Sequence, residues 1–212
     1  MADHLADFLD PLPFIAVLRG IAPEEIPAVG ATLAAHGFRI IEVPLNSPRP
    51  FESIRRLAED FADRCLVGAG TVIDAADVEK VRAAGGRLIV MPHADTVVIR
   101  EAKRLQMFCL PGVATVTEAF AALGAGADGL KMFPAEALSA SALKAWRAVL
   151  PKDALVFPVG GIRPDTLAAY WAAGANGFGT GSHLYSPGAE AASVGGAAMA
   201  YAAAFRALPR RG

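Results

Sequence analysis

"LAAHGFRIIEVPL" (residues 33–45) joins the end of a helical pattern to a short apolar run through His36 and Gly37. A glycine just past a helix takes the left-handed backbone that ends it. The run that follows, 39–45, has strand length and is bounded by glycine and proline. The same unit returns as "VRAAGGRLIVMPH" (81–93), "ALGAGADGLKMFP" (122–134) and "YWAAGANGFGTGS" (170–182).

Counting such runs gives eight: 14–20, 39–45, 65–71, 87–93, 107–113, 129–134, 155–161 and 177–182. Helix signals lie between them. Asp74 can N-cap "AADVEKVRAAG", and Thr115 with Glu118 fits a capping box. Ser139 precedes "ASALKAWRAVL", and Pro164 suits the first turn of "PDTLAAYWAAG". Strands that alternate with helices pair in parallel through right-handed crossovers. Eight units predict a small (β/α)8 TIM barrel, with a doubly wound open sheet as the rival. "HLADFLD" predicts an extra N-terminal helix across the barrel bottom, and "GGAAMAYAAAFRAL" the last helix.

The 212 residues fit a single domain over 1–212. Apolar residues make up 54% and charged residues 19%, a globular composition. A formal net charge of −1 gives no reason to expect nucleic acid or a membrane surface as partner. The one tight basic cluster is the tail "RRG", read as a solvated end. Cys65 and Cys109 lie in apolar runs and read as reduced core residues. No zinc-ligand spacing, signal peptide or membrane-length apolar stretch occurs, so the expectation is a soluble cytoplasmic protein without a metal.

In a barrel of this kind the catalytic groups stand at the C-terminal ends of the strands. Those ends offer Arg19, Glu42, Asn46, Thr71, His93, Lys131, Gly160, Gly161, Gly181 and Ser182. Lys131 interrupts the apolar "GLKMFP". It is either a core lysine paired with a carboxylate or reaching water, or an amine nucleophile. An ordinary lysine with a pKa of ~10.4 is neutral only about once in 2,500 at pH 7. Apolar surroundings favour the neutral, nucleophilic form. Glu42, in the equally apolar "RIIEVPL", is either an ion-pair partner or a general acid/base. The glycines of "VGGIRP" and "GTGSHL" follow the seventh and eighth runs, where such barrels bind phosphate; two ordinary tight turns are the plainer reading. "GAGTV" (68–72) is not a dinucleotide fingerprint. His4 and His36 read as surface residues, while His93 and His183 could reach a ligand.

"IEVPLNSP", "VGAGTV", "LKMFPAE", "PVGGI" and "GTGSHLYSPG", in this order, resemble the KDPG/KDPGal aldolase family from about Phe14 to Gly188. The resemblance implies a class I, Schiff-base aldolase on a small barrel, homotrimeric and without a cofactor or metal. It implies Lys131 as the Schiff-base lysine and Glu42 as the proton donor and acceptor. Thr71 would lie near the pyruvyl group and Phe133 with Pro134 would form an apolar wall. Gly160, Gly161, Gly181 and Ser182 would hold the phosphate. Where the gluconate branch carries an arginine after the glutamate strand, this chain has Asn46. Arg19 in "VLRG" resembles the galactonate branch and would take the carboxylate. Val159, where the gluconate branch tends to carry threonine, would bear on the choice of C4 epimer. The gluconate epimer, or both, remain open as substrates. So do a sugar-phosphate isomerase and a binding protein, neither of which needs Lys131.

Overall fold

The left-handed glycines do what the quoted units require. Gly37 has φ +89, and Gly85, Gly126 and Gly174 repeat that geometry after their own helices. The chain is known from a computed structural model, which describes residues 4–209; the tail "RRG", read as a solvated end, lies outside them.

Strands and helices then alternate. β1 is Leu12–Val17, α1 Ile26–Ala35, β2 Phe38–Pro44, α2 Pro50–Phe61, β3 Leu66–Gly70 and α3 Ala75–Ala83. β4 is Leu88–Val90, α4 Thr96–Arg104, β5 Phe108–Leu110, β6 Gly112–Val113 and α5 Val116–Gly124. β7 is Leu130–Met132, α6 Ala140–Arg147, β8 Val156–Pro158, α7 Leu167–Ala172, β9 Phe178–Thr180 and α8 Ala191–Arg206. The expected caps form. Asp74 accepts from the Ala76 amide at 2.9 Å and Ser139 from the Ala142 amide at 3.3 Å. Thr115 and Glu118 make the reciprocal capping box.

The pairing is parallel throughout, in one ladder of order β5-β4-β3-β2-β1-β9 and a second of order β6-β7-β8. The fold is thus a curled, parallel α/β sheet flanked by eight α-helices among the described residues. The expected fifth run divides at Pro111, because proline has no N–H for the ladder. Its two pieces, β5 and β6, pair with β4 and β7 respectively. A lone parallel bridge, Val159 to Gly179, joins the chain after β8 to β9.

Two expectations about helices need correction. The N-terminal helix is a single 3-10 turn, Leu5–Phe8, held by burying those two side chains. Pro164 does not open a helix. It lies in a turn closed by the Thr166 hydroxyl, which accepts from the Arg163 amide at 3.0 Å, and α7 starts at Leu167.

Side-chain alternation sorts each strand into two faces. Phe14, Val43, Val67, Ile89, Cys109, Leu130, Val156 and Phe178 pack outward in the main core with the helices. Ile15, Ile40, Leu66, Leu88, Phe108 and Phe157 point to a separate interior cluster, capped by Leu5 and Phe8. Both cysteines are buried and free, as expected. His36 is half-buried rather than at the surface, its Nδ1 2.8 Å from the Thr32 carbonyl.

Candidate active site

The interior face continues upward from the apolar cluster into polar residues. Glu42 shares its face of β2 with Ile40, and Lys131 lies opposite the outward Leu130 and Met132 on β7. In register, Glu42 faces Val17 of β1 and Gly68 of β3, while Lys131 faces Gly112 and Phe157. Glu42 is 1% exposed and Lys131 6%; they are the only buried charged side chains among the described residues.

Their surroundings set their protonation. Burial pushes the Glu42 carboxyl from 4.5 up to about 7, with Lys131 and Arg19 pulling it back. Its Oε2 meets no hydrogen-bond donor among the described residues. Burial also draws Lys131 below the usual lysine value. Glu42 opposes that shift and the Arg19 cation reinforces it. The Lys131 amine lies 4.6 Å from the centroid of the Phe133 ring. Gly70 makes room for the carboxylate, since a Cβ there would overlap the Glu42 oxygens.

A cavity of about 500 Å³ opens over Lys131. Its wall carries most of the expected residues: Arg19, Phe133, Val159, Gly160, Gly161, Gly181 and Ser182. Gly160 and Gly161 have φ +105 and +62, a left-handed pair that L side chains rarely adopt. A Cβ on either would also press on the Glu136 side chain. Arg19 is exposed at the rim, where its Nη1 donates to Asn46 Oδ1 at 2.9 Å. Asn46 thus fixes the end of the Arg19 side chain across the cavity rim.

Two expected residues do not line this cavity. Glu42 is buried and is not part of the cavity wall, and its charge interacts with those of Lys131 and Arg19. Thr71 follows β3 with φ +54, left-handed for a β-branched residue, and is half-buried outside the cavity wall. His183 reaches the cavity and His93 does not. Sequence reasoning did not single out Val17, Gly20, Glu136, Tyr185 or Pro187, which also line it. Glu136 and Tyr185 fall inside the motifs "LKMFPAE" and "GTGSHLYSPG", a signal available but not used.

Enzymes that use a lysine nucleophile with a local acid/base have such an arrangement, an amine drawn below its usual pKa in the field of a carboxyl raised toward neutrality. The comparisons narrow that class. The model of the family described as KDPG and KHG aldolase matches residues 6–194. The chain is 48% identical over 196 residues to a protein of Rhizobium meliloti (strain 1021) named "Probable 2-dehydro-3-deoxy-6-phosphogalactonate aldolase", covering 92% of each chain. It is 45% identical to the 2-dehydro-3-deoxy-6-phosphogalactonate aldolase of Escherichia coli (strain K12), covering 92% of this chain and 95% of that one. A solved structure described as native KDPGal superposes with a TM-score of 0.91 at 43% identity, covering 92% and 95% of the two chains. A KDPG aldolase from Legionella pneumophila, with pyruvate captured as a covalent carbinolamine, superposes at 0.78 with 26% identity, covering 99% of each chain.

The chain belongs to the KDPG and KHG aldolase family. It is an aldolase, a carbon–carbon lyase.

Proposed function

We propose that this aldolase reversibly cleaves 2-dehydro-3-deoxy-6-phosphogalactonate to pyruvate and D-glyceraldehyde 3-phosphate, with Lys131 as the Schiff-base nucleophile. The observation that carries the reading is the pair of buried charges, Lys131 drawn below its usual pKa and Glu42 raised to about 7. The names of the relatives at 45% and 48% identity support the galactonate substrate, and so does the contact between Arg19 and Asn46.

The neutral Lys131 amine attacks the C2 ketone, and the ketone oxygen gains a proton to give a carbinolamine. Glu42, near its midpoint at neutral pH, supplies a second proton as water leaves and the iminium forms. Glu42, now a carboxylate, takes the C4 hydroxyl proton through a water, the C3–C4 bond breaks, and its bonding pair flows into the iminium. The aldehyde departs, leaving an enamine. Glu42 returns that proton to C3, and hydrolysis of the resulting iminium releases pyruvate and the free amine. The covalent nitrogen is the electron sink, so these steps call for no further cofactor or metal.

Arg19 would hold the substrate carboxylate and the Gly160, Gly161, Gly181 and Ser182 loops the phosphate. Phe133 forms an apolar wall, Val159 faces the hydroxyl-bearing carbons and Thr71 supports the pyruvyl end from behind the wall. The chain would work as one domain over 1–212, in a closed eight-stranded barrel in which β5 and β6 together make the fifth strand. The Val159–Gly179 bridge and the shared interior cluster support that closure. A homotrimer in the cytoplasm completes the proposal.

The test is borohydride reduction in the presence of pyruvate, followed by peptide mass spectrometry. A reduced pyruvyl adduct on Lys131, absent from Lys131→Ala, is the expected result. Unmodified Lys131 in folded protein, or near-wild-type cleavage by Lys131→Ala, overturns the mechanism.

A further inference from the structure

Two loops face each other across the cavity mouth. One follows β1 and carries Arg19. The other follows β9 and carries Ser182 and His183. They touch directly, for a Cβ on Gly20 would come within 2.6 Å of the Pro187 ring. A single carboxylate fastens them. Glu25 Oε2 accepts from the Ala22 amide at 2.8 Å, on the first loop. Its Oε1 accepts from the Tyr185 hydroxyl at 2.8 Å and from the Gly188 amide at 3.1 Å, both on the second. Tyr185 is 3% exposed, so the clasp has a buried side.

The neighbouring glutamate shows what an ordinary surface carboxylate does here. Glu24 is 60% exposed and pairs with Arg49 at the periphery. Glu25, one residue on, turns inward and directs all three bonds to backbone and side chain of the two loops. The flank opposite is tied as well. Arg19 donates to Asn46 and the Gly20 amide donates to the Ser47 hydroxyl at 2.8 Å. The β1 loop is therefore held between β2 and β9, with Glu25 as its only charged link to the β9 side among the described residues.

We propose that Glu25 is a positioning residue that sets the spacing between the carboxylate-binding end of the cavity, at Arg19, and the phosphate-binding end, at Gly181 and Ser182. The inference rests on those two assignments made above. A ligand with one anionic end reads neither the spacing nor the clasp. A ligand with a carboxylate at one end and a phosphate at the other reads both, because its two ends must be met at once.

The test separates this from the aldolase reading by using a ligand that cannot form a Schiff base. 6-Phosphogalactonate carries both ends and has no ketone. Calorimetric titration with it, and with inorganic phosphate, is done on wild type, Glu25→Gln and Tyr185→Phe. Glutamine keeps the size of Glu25 but replaces one acceptor with a donor, which must face an N–H or O–H donor and break a bond. The expected result for Glu25→Gln is about tenfold weaker 6-phosphogalactonate binding, with phosphate affinity within twofold. Tyr185→Phe loses one bond and is expected to weaken binding about threefold. In turnover, the loss should fall on KM while kcat stays within about twofold.

Equal weakening toward both ligands, or a loss confined to kcat, assigns Glu25 a merely structural part and overturns the proposal. So does unchanged binding in folded variants. If Glu25→Gln does not fold, Tyr185→Phe decides by the same readings. Pyruvate trapping on wild-type Lys131 reports on the aldolase chemistry separately, so either reading can fail alone.

Discussion

Replacing Glu42 with glutamine should make the protein more stable at pH 8 while slowing its chemistry. Glutamine matches the shape of glutamate but carries neither charge nor transferable proton. The Glu42 carboxyl rises from 4.5 to about 7 on folding, which at 1.36 kcal/mol for each pH unit is about 3 kcal/mol. The pull of Lys131 and Arg19 is already contained in that value. Because the folded state holds the proton more tightly, the unfolded chain ionises first as pH rises from 4.5. Stability falls through that window and reaches its full deficit above about 7. Glu42→Gln removes the ionisation and therefore the deficit. Urea unfolding at pH 4.5 and pH 8 measures this directly. Its advantage over wild type should grow by about 2–3 kcal/mol from the first pH to the second. In the same variant kcat should fall roughly 10²–10⁴-fold with KM little changed. A stability difference that does not vary with pH, or a variant less stable at pH 8, refutes the reasoning. Glu42 would then be the favourable half of a buried ion pair.

Three further outcomes follow from single contacts. Gly70→Ala sets a methyl where the Glu42 carboxylate sits, so the carboxylate must move; a drop in kcat of at least about tenfold is expected, with a stability loss of about 1–3 kcal/mol by urea unfolding. Val159 lines the cavity against Gly179 and is 9% exposed. Val159→Thr adds a hydroxyl in nearly the same shape and should shift the ratio of kcat/KM between the galactonate and gluconate epimers several-fold; an unmoved ratio removes Val159 as a selector. The Tyr170 hydroxyl lies 2.8 Å from the Ala135 carbonyl and 2.9 Å from that of Leu138, pinning the loop after β7. Tyr170→Phe should cost about 1–2 kcal/mol in urea unfolding.

Some of the site announces itself in the sequence because the signal is local. A lysine between Leu130 and Met132 and a glutamate between Ile41 and Val43 stand out against apolar neighbours, and both are buried. The glycine pair at 160–161 and the glycine at 181 stand where a strand ends. Residues of the clasp have no such contrast. Glu25 sits beside Glu24 in "APEEIP" with nothing to say which one turns inward. Thr71 looks like any strand-end threonine, and its left-handed backbone has no sequence signature. Pro164 reads as a helix start because proline favours the first turn, yet the Arg163–Thr166 turn takes that proline instead.

The alternation of strands and helices and the caps at Asp74, Thr115 and Ser139 follow from chemistry within a few residues, and the chain alone determines them. The chain also places Lys131 between apolar neighbours in β7, but its burial comes from the packing around that strand. What stands beside that lysine is another matter. Glu42 and Lys131 belong to different ladders, and Arg19 meets Asn46 across 27 residues. Glu25 meets Gly188 across 163. Contacts of that kind depend on how far the sheet curls and how its strands register. Only the packed structure decides those, because a field from Glu42 or a clasp from Glu25 acts through space and not along the chain.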